Sequence, residues 1–234
     1  MNLTKKDKKA FFLGAGVFAA LVLVWTSAAW LVPAEAFQGE VYRILYIHVP
    51  SASCAFLCAS LLFGFSIASL VKKSPQAQFG LWARASAEIG LFFTVLTLAT
   101  GSLWGKPTWG TWWTWDARLT TTFVLALLYG AYLLLESSMP AGILRQKVCA
   151  VMGVLIFADV PIIYKSVTWW RTLHQPPTLN FAGSVPMDGP ILRTLIFSLV
   201  LCVASCLWFV WQRSANLRLR LLFEDQSFRQ WRGV

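Results

Sequence analysis

The chain has 234 residues, of which 57% are hydrophobic and 13% charged, with a formal net charge of +10 at pH 7. Ordinary globular domains carry about 25% charged residues, so this composition excludes a disordered chain and disfavours a soluble enzyme. A nucleic-acid reading of the charge is disfavoured too, because Lys and Arg stand in short clusters between long apolar runs, as in the loops of a membrane protein. The length fits a single membrane domain, 1–234, with no second core.

A membrane crossing needs about 20 apolar residues, and six candidate spans follow along the chain. The first, 10–32, comes after Lys5, Lys6, Lys8 and Lys9 and before Ala34-Glu-Ala36, which together look like a signal peptide and its cleavage site. The run is longer than a signal core of about 7–15 residues, so an uncleaved helix is expected. The second span, 44–71, is over-long, which places Tyr46-Ile-His-Val-Pro50 at or above the interface. It carries Cys54 and Cys58 four residues apart, a spacing open to soft-metal binding but more simply read as small apolar packing. The third, 87–104, begins near Glu88 and ends in Gly101-x-x-x-Gly105, which permits close helix approach or a turn.

Next comes Trp104-Gly-Lys-Pro-Thr-Trp-Gly-Thr-Trp-Trp-Thr-Trp-Asp116. Five Trp in thirteen residues, broken by Gly105, Pro107 and Gly110, predict a compact aromatic surface on non-helical backbone, the loop 104–118. Interfacial anchoring explains isolated Trp. A cluster of this density wants a flat apolar partner, a large planar ligand or lipid.

The fourth span, 119–135, is the shortest and ends at Glu136. The fifth, 148–167, holds Cys149 and an intramembrane Asp159 followed by Val160-Pro161. Such carboxylates are costly, and a hydrogen bond across helices is the expected use. The connection after it reads Trp169-Trp170-Arg171 and then His174, and the sixth span, 191–211, carries Cys202 and Cys206 ahead of a basic tail. All five Cys fall inside spans, which argues against a disulfide scaffold.

Orientation follows from the basic residues. With the N-terminus inside, inner segments hold 14 of the 20 Lys and Arg, and outer segments hold Arg43, Lys106, Arg118, Lys165, Arg171 and Arg193. The fold class expected is therefore an all-α integral membrane protein of six transmembrane helices. Both termini are expected to be cytoplasmic, with the Trp-rich loop joining helices 3 and 4 on the outer side.

No Gly-x-x-x-x-Gly-Lys-Ser/Thr loop, Gly-x-Ser-x-Gly elbow, His-Glu-x-x-His helix or Cys-x-x-Cys-His haem-attachment motif occurs. Any nucleotide energy would come from a partner. The chain's two His, His48 and His174, both fall on the outer side with the Trp cluster. Imidazole is a good iron ligand, and haem is a flat macrocycle held by axial His. Trp faces, two axial nitrogens and outer cations for propionates (Arg43, Lys106, Arg118 and Arg171, Arg118 foremost) make a set of parts for haem.

At these residues a resemblance becomes specific. Trp109-Gly-Thr-Trp-Trp-Thr-Trp-Asp-Ala-Arg-Leu-Thr120 resembles the Trp-rich WWD signature of the haem-handling membrane proteins of cytochrome c maturation. The continuation after Asp116, and Pro161-Ile-Ile-Tyr with Ser166-Val-Thr-Trp-Trp-Arg-Thr-Leu-His-Gln175, resemble the CcmC family, the haem exporter protein C branch. Cytochrome c synthetases, the nearest alternative, are longer and carry more His. The resemblance implies His48 and His174 as axial ligands of haem b, with Trp109, Trp112, Trp113, Trp115, Asp116 and Arg118 around the macrocycle. It implies a bacterial inner-membrane complex with an ABC-type ATP-binding subunit, a permease and a small membrane subunit. Haem would pass from it to the periplasmic chaperone CcmE. A solute transporter would need more polar midplane residues and matching broken helices, which the sequence lacks apart from Asp159-Val-Pro161.

Overall fold

The computed structural model describes residues 5–71, 76–174 and 187–232. Gln175 of the segment quoted above, and Lys72 and Lys73, counted among the inner Lys and Arg, lie outside these. Six helices follow one another: α1 (Lys5–Leu31), α2 (Leu45–Val71), α3 (Gln76–Trp109), α4 (Ala117–Ser138), α5 (Ile143–Trp169) and α6 (Gly189–Arg232), with a short 3-10 turn at Glu40–Ile44 before α2. Each is long and apolar enough to cross a membrane. The expected all-α, six-span architecture is the one observed, and six crossings return both ends of the chain to one side of the bundle.

α2 is the central element, packed against α3, α5 and α6, while α1 leans mainly on α6. Lipid chains are as apolar as Leu, so helix association here depends on close packing and hydrogen bonds. The buried positions accordingly hold small residues: Ser51, Cys54, Ala55, Cys58 and Ala59 on α2, and Ser198, Cys202, Ser205 and Cys206 on α6. The Cys pairs foreseen as neighbours on single helices face each other across the α2–α6 interface, Cys54 to Cys202 at 3.6 Å and Cys58 to Cys206 at 3.5 Å between sulfurs. All four are free thiols. On the other flank Tyr129 reaches from α4 and donates to the Ala55 carbonyl of α2 at 2.8 Å. Gly90 makes the crossing feasible, because a Cβ there would lie 2.5 Å from the Tyr129 ring.

Proline inside a helix removes one N–H and frees the carbonyl four residues before it. In α2 Pro50 frees the Tyr46 carbonyl, and Ser198 of α6 supplies the missing donor at 2.5 Å. Ser198 in turn accepts from the indole Nε1 of Trp25 on α1 at 2.7 Å. One hydroxyl thus joins three helices beside the N-terminal end of α2. Asp159, expected to bond across helices near Pro161, is buried on α5, and its Oδ2 has no hydrogen-bond partner among the described residues.

The opposite end of the bundle is tied by ions. Arg84 on α3 reaches Glu88 at 3.1 Å and Glu136 of α4 at 2.7 Å, Arg145 of α5 lies 3.8 Å from Glu136, and Arg213 of α6 pairs with Glu88. Both carboxylates are Arg-paired at helix ends, as their positions in the sequence imply.

Helix α3 departs from expectation. Gly105 and Pro107 predict irregular backbone from Trp104, whereas the helix continues to Trp109 with Pro107 inside it. Only two residues follow Pro107 before Gly110 stops the helix at φ +78°, the left-handed conformation that Gly adopts without steric cost. The Gly110 N–H still bonds the Lys106 carbonyl at 3.0 Å. The irregular connection is therefore 110–116 rather than 104–118.

Candidate functional site

At the Trp-rich end, α2, α3, α4 and α5 splay around a cavity of about 240 Å³. His48, Trp104, Trp109, Arg118 and His174, all singled out from the sequence, line it. The two imidazoles arrive from positions 126 apart in the sequence and sit with ring centres 6.2 Å apart, their planes inclined by 30°. His48 meets the Trp104 ring edge-on at 5.7 Å, and His174 meets Trp109 at 5.9 Å. A metal–imidazole bond of about 2 Å on either side of one ion would set two ring centres about 6 Å apart, so the observed separation suits a shared metal.

Each imidazole is held through Nδ1. His48 Nδ1 lies 3.0 Å from Thr100 Oγ1, and the Thr100 hydroxyl donates its own proton to the Leu96 carbonyl of α3 at 2.7 Å. Towards His48 it can then only accept, which makes His48 the Nδ1–H tautomer with its lone pair on Nε2. Metal-binding His residues are oriented in this way by a partner on the other nitrogen. The ring also needs Gly101: a Cβ there would come 3.1 Å from His48 Cε1. Gly105 likewise leaves room for Trp109, whose ring atom Cε3 would lie 3.0 Å from an added Cβ. The Gly-x-x-x-Gly spacing thus accommodates two rings of the site.

Asp116 works on backbone. Its Oδ1 accepts from the Leu119 N–H at 2.9 Å and caps α4, and its Oδ2 accepts from Thr172 Oγ1 at 2.8 Å. The Thr172 hydroxyl oxygen also accepts from the His174 N–H at 3.1 Å. Asp116 therefore fixes the His174 segment against the start of α4 without lining the cavity. Arg118, one turn into α4, points NH1 at His174 Nδ1 across 3.2 Å.

The other aromatic residues of the signature are spread out. Trp113 and Trp115 pack edge-on against each other at 5.4 Å and against Phe123 of α4, and Trp112 and Trp115 are exposed. The single aromatic surface foreseen over 104–116 is thus divided, with Trp104 and Trp109 inside the cavity and Trp112, Trp113 and Trp115 beside it. Among the cations, Arg43 is spent on α1: it donates to the Ala28 carbonyl, to the Val32 carbonyl at 2.6 Å and to Glu40. Lys106 bonds the Gly110 carbonyl at 3.1 Å and lies 5.9 Å from the Trp112 ring centre. Arg171 is exposed on the segment leading to His174. That leaves Arg118 as the one Arg or Lys among the described residues lining the cavity, and its buried Nε has no hydrogen-bond partner. Thr97 and Thr100, which also line or shape the cavity, carry no signal in the sequence, whereas Gly101 and Tyr164 fall in segments singled out there.

The chain as a whole is similar to known proteins. The CcmC family profile, described as heme exporter protein C, matches residues 1–231. The heme exporter protein C of Haemophilus influenzae is 35% identical over 218 residues, 92% of this chain and 86% of that protein. That of Escherichia coli K12 is 35% identical over 194 residues, covering 83% and 78%. A ccmC-like mitochondrial protein of cytochrome c biosynthesis from Marchantia polymorpha is 41% identical over 171 residues, covering 72% and 71%. With this profile spanning nearly all of a six-helix membrane chain, the protein belongs to the CcmC family.

Proposed function

We infer that this protein binds haem at the periplasmic face of the inner membrane and presents it for the maturation of c-type cytochromes. The 6.2 Å separation of His48 and His174 inside an apolar, Trp-lined cavity carries the reading. Haem is cargo here, and the residues present fit it: two imidazoles for the iron, Trp104 and Trp109 for the ring, and Arg118 for a carboxylate. Pockets that enclose drug-sized ligands have about 300–1,000 Å³. A cavity of about 240 Å³ takes the macrocycle edge first, leaving an edge to a receiving protein.

The finer role follows the family. Residues 1–234 act as one domain of an ABC-type complex with an ATP-binding subunit, a permease and a small membrane subunit, and they hand haem b to CcmE. The protein holds and orients; ordering two reactants supplies much of the rate of a transfer without acid–base chemistry in this chain. ATP hydrolysis in a partner acts by changing haem affinity between two conformations.

The test is the absorption spectrum of the detergent-purified protein. A Soret band is expected in the wild type and is lost when His48 and His174 are both replaced by Ala. Protein that is haem-free as isolated and does not bind added haem overturns the reading.

A further inference from the structure

The hydrogen bonds of the two His assign them opposite tautomers. Arg guanidinium has donors only and keeps its charge in proteins. At 3.2 Å from Arg118 NH1, His174 Nδ1 must therefore be the nitrogen with the lone pair. A neutral imidazole has one such nitrogen, so the His174 proton sits on Nε2, and an N–H cannot coordinate a metal. His48 is the reverse, with Nδ1–H given to Thr100 and the lone pair on Nε2. Only one of the two imidazoles is ready to bind iron.

We propose that Arg118 is a tautomer latch that keeps His174 from coordinating until a carboxylate of the incoming porphyrin draws the guanidinium away. The proposal rests on the haem-handling function above. Arg118 is incompletely satisfied where it stands, since its buried Nε has no hydrogen-bond partner among the described residues. Buried charges of that kind are costly, and a carboxylate offers a guanidinium a two-pronged partner. Once Arg118 turns to the carboxylate, Nδ1 of His174 takes up a proton while Nε2 loses one through solvent, with no net change in charge. His174 then presents a lone pair on Nε2. Binding is ordered: His48 takes the iron first, and His174 follows only for a cargo that carries both a metal and a carboxylate. Arg118 is thus a positioning residue that links recognition of the porphyrin edge to closure of the second iron bond.

The chain's two His make the latch directly readable. In haem-free protein labelled with 15N-histidine, NMR is expected to give one Nδ1–H imidazole, absent in His48→Gln, and one Nε2–H imidazole, absent in His174→Gln. In Arg118→Met the His174 signal is expected to leave the pure Nε2–H form. A wild-type His174 in the Nδ1–H or doubly protonated form overturns the latch, as does a signal unmoved by Arg118→Met. These arms need no haem, so their failure is distinct from failure to bind haem. The cargo arm compares iron(III) protoporphyrin with its dimethyl ester on wild-type protein. The diacid is expected to give a low-spin, two-imidazole spectrum and the ester a one-imidazole spectrum; a low-spin ester complex would falsify the carboxylate requirement.

Discussion

At the scale of single residues, the site depends as much on what holds the imidazoles as on the imidazoles themselves. Thr100 accepts from His48 Nδ1 only because its own proton is committed to the Leu96 carbonyl. Groups in this orienting position typically contribute about 10–100-fold to metal affinity. Thr100→Val is therefore expected to weaken haem binding by about 10–100-fold in a spectral titration, with Thr100→Ser close to wild type. Equal affinity for wild type and the Val variant would show that the threonine does not orient the ring. His48, His174, Trp109 and Arg118 stand out in the sequence because few residue types bind iron or stack on a macrocycle. Thr100 does not, because a Thr in an apolar helix looks the same whether or not an imidazole from another helix lies against it.

At the scale of elements, α1, α2 and α6 are joined through a carbonyl that a proline sets free. Ser198 donates to the Tyr46 carbonyl and accepts from Trp25. Interhelical hydrogen bonds in membranes contribute about 0.6 kcal/mol on average and up to about 1.7. Ser198→Ala, which removes two bonds, is expected to destabilise the bundle by about 1–2 kcal/mol in reversible SDS unfolding. Pro50→Ala restores a helical donor to the same carbonyl, so the double variant is expected to lose less than the two single effects summed. Strict additivity would mean that the serine and the proline act independently. The end of α3 was not legible at this scale: Gly105 and Pro107 signal a break, yet the helix runs on because Gly105 makes room for Trp109 and the stop is deferred to Gly110.

For the whole molecule, we propose from the six crossings and the distribution of Lys and Arg that the Trp-rich end faces outside. The prediction is open to thiol labelling, since all five native Cys are buried. A Cys at Thr111 is expected to react with a membrane-impermeant maleimide in intact spheroplasts, and a Cys at exposed Ala141 only after permeabilisation. The opposite pattern would invert the orientation. The Arg84–Glu88–Arg213 and Arg84–Glu136–Arg145 pairs then lie on the cytoplasmic side, where they fasten α3 to α4 and α6, and α4 to α5.

The sequence by itself determined the membrane class, the number of spans and the residue types that could hold haem, because hydrophobic run length and the scarcity of His and clustered Trp are properties of composition and spacing. Only the tertiary structure decided which of those residues meet. It drew Trp112, Trp113 and Trp115 away from the cavity and spent Arg43 on the end of α1. It also set the two imidazoles 6.2 Å apart with different hydrogen-bond partners. The reason is that a tautomer is fixed by the neighbour on the other nitrogen, and those neighbours, Thr100 and Arg118, lie on helices that the chain brings together only when it folds.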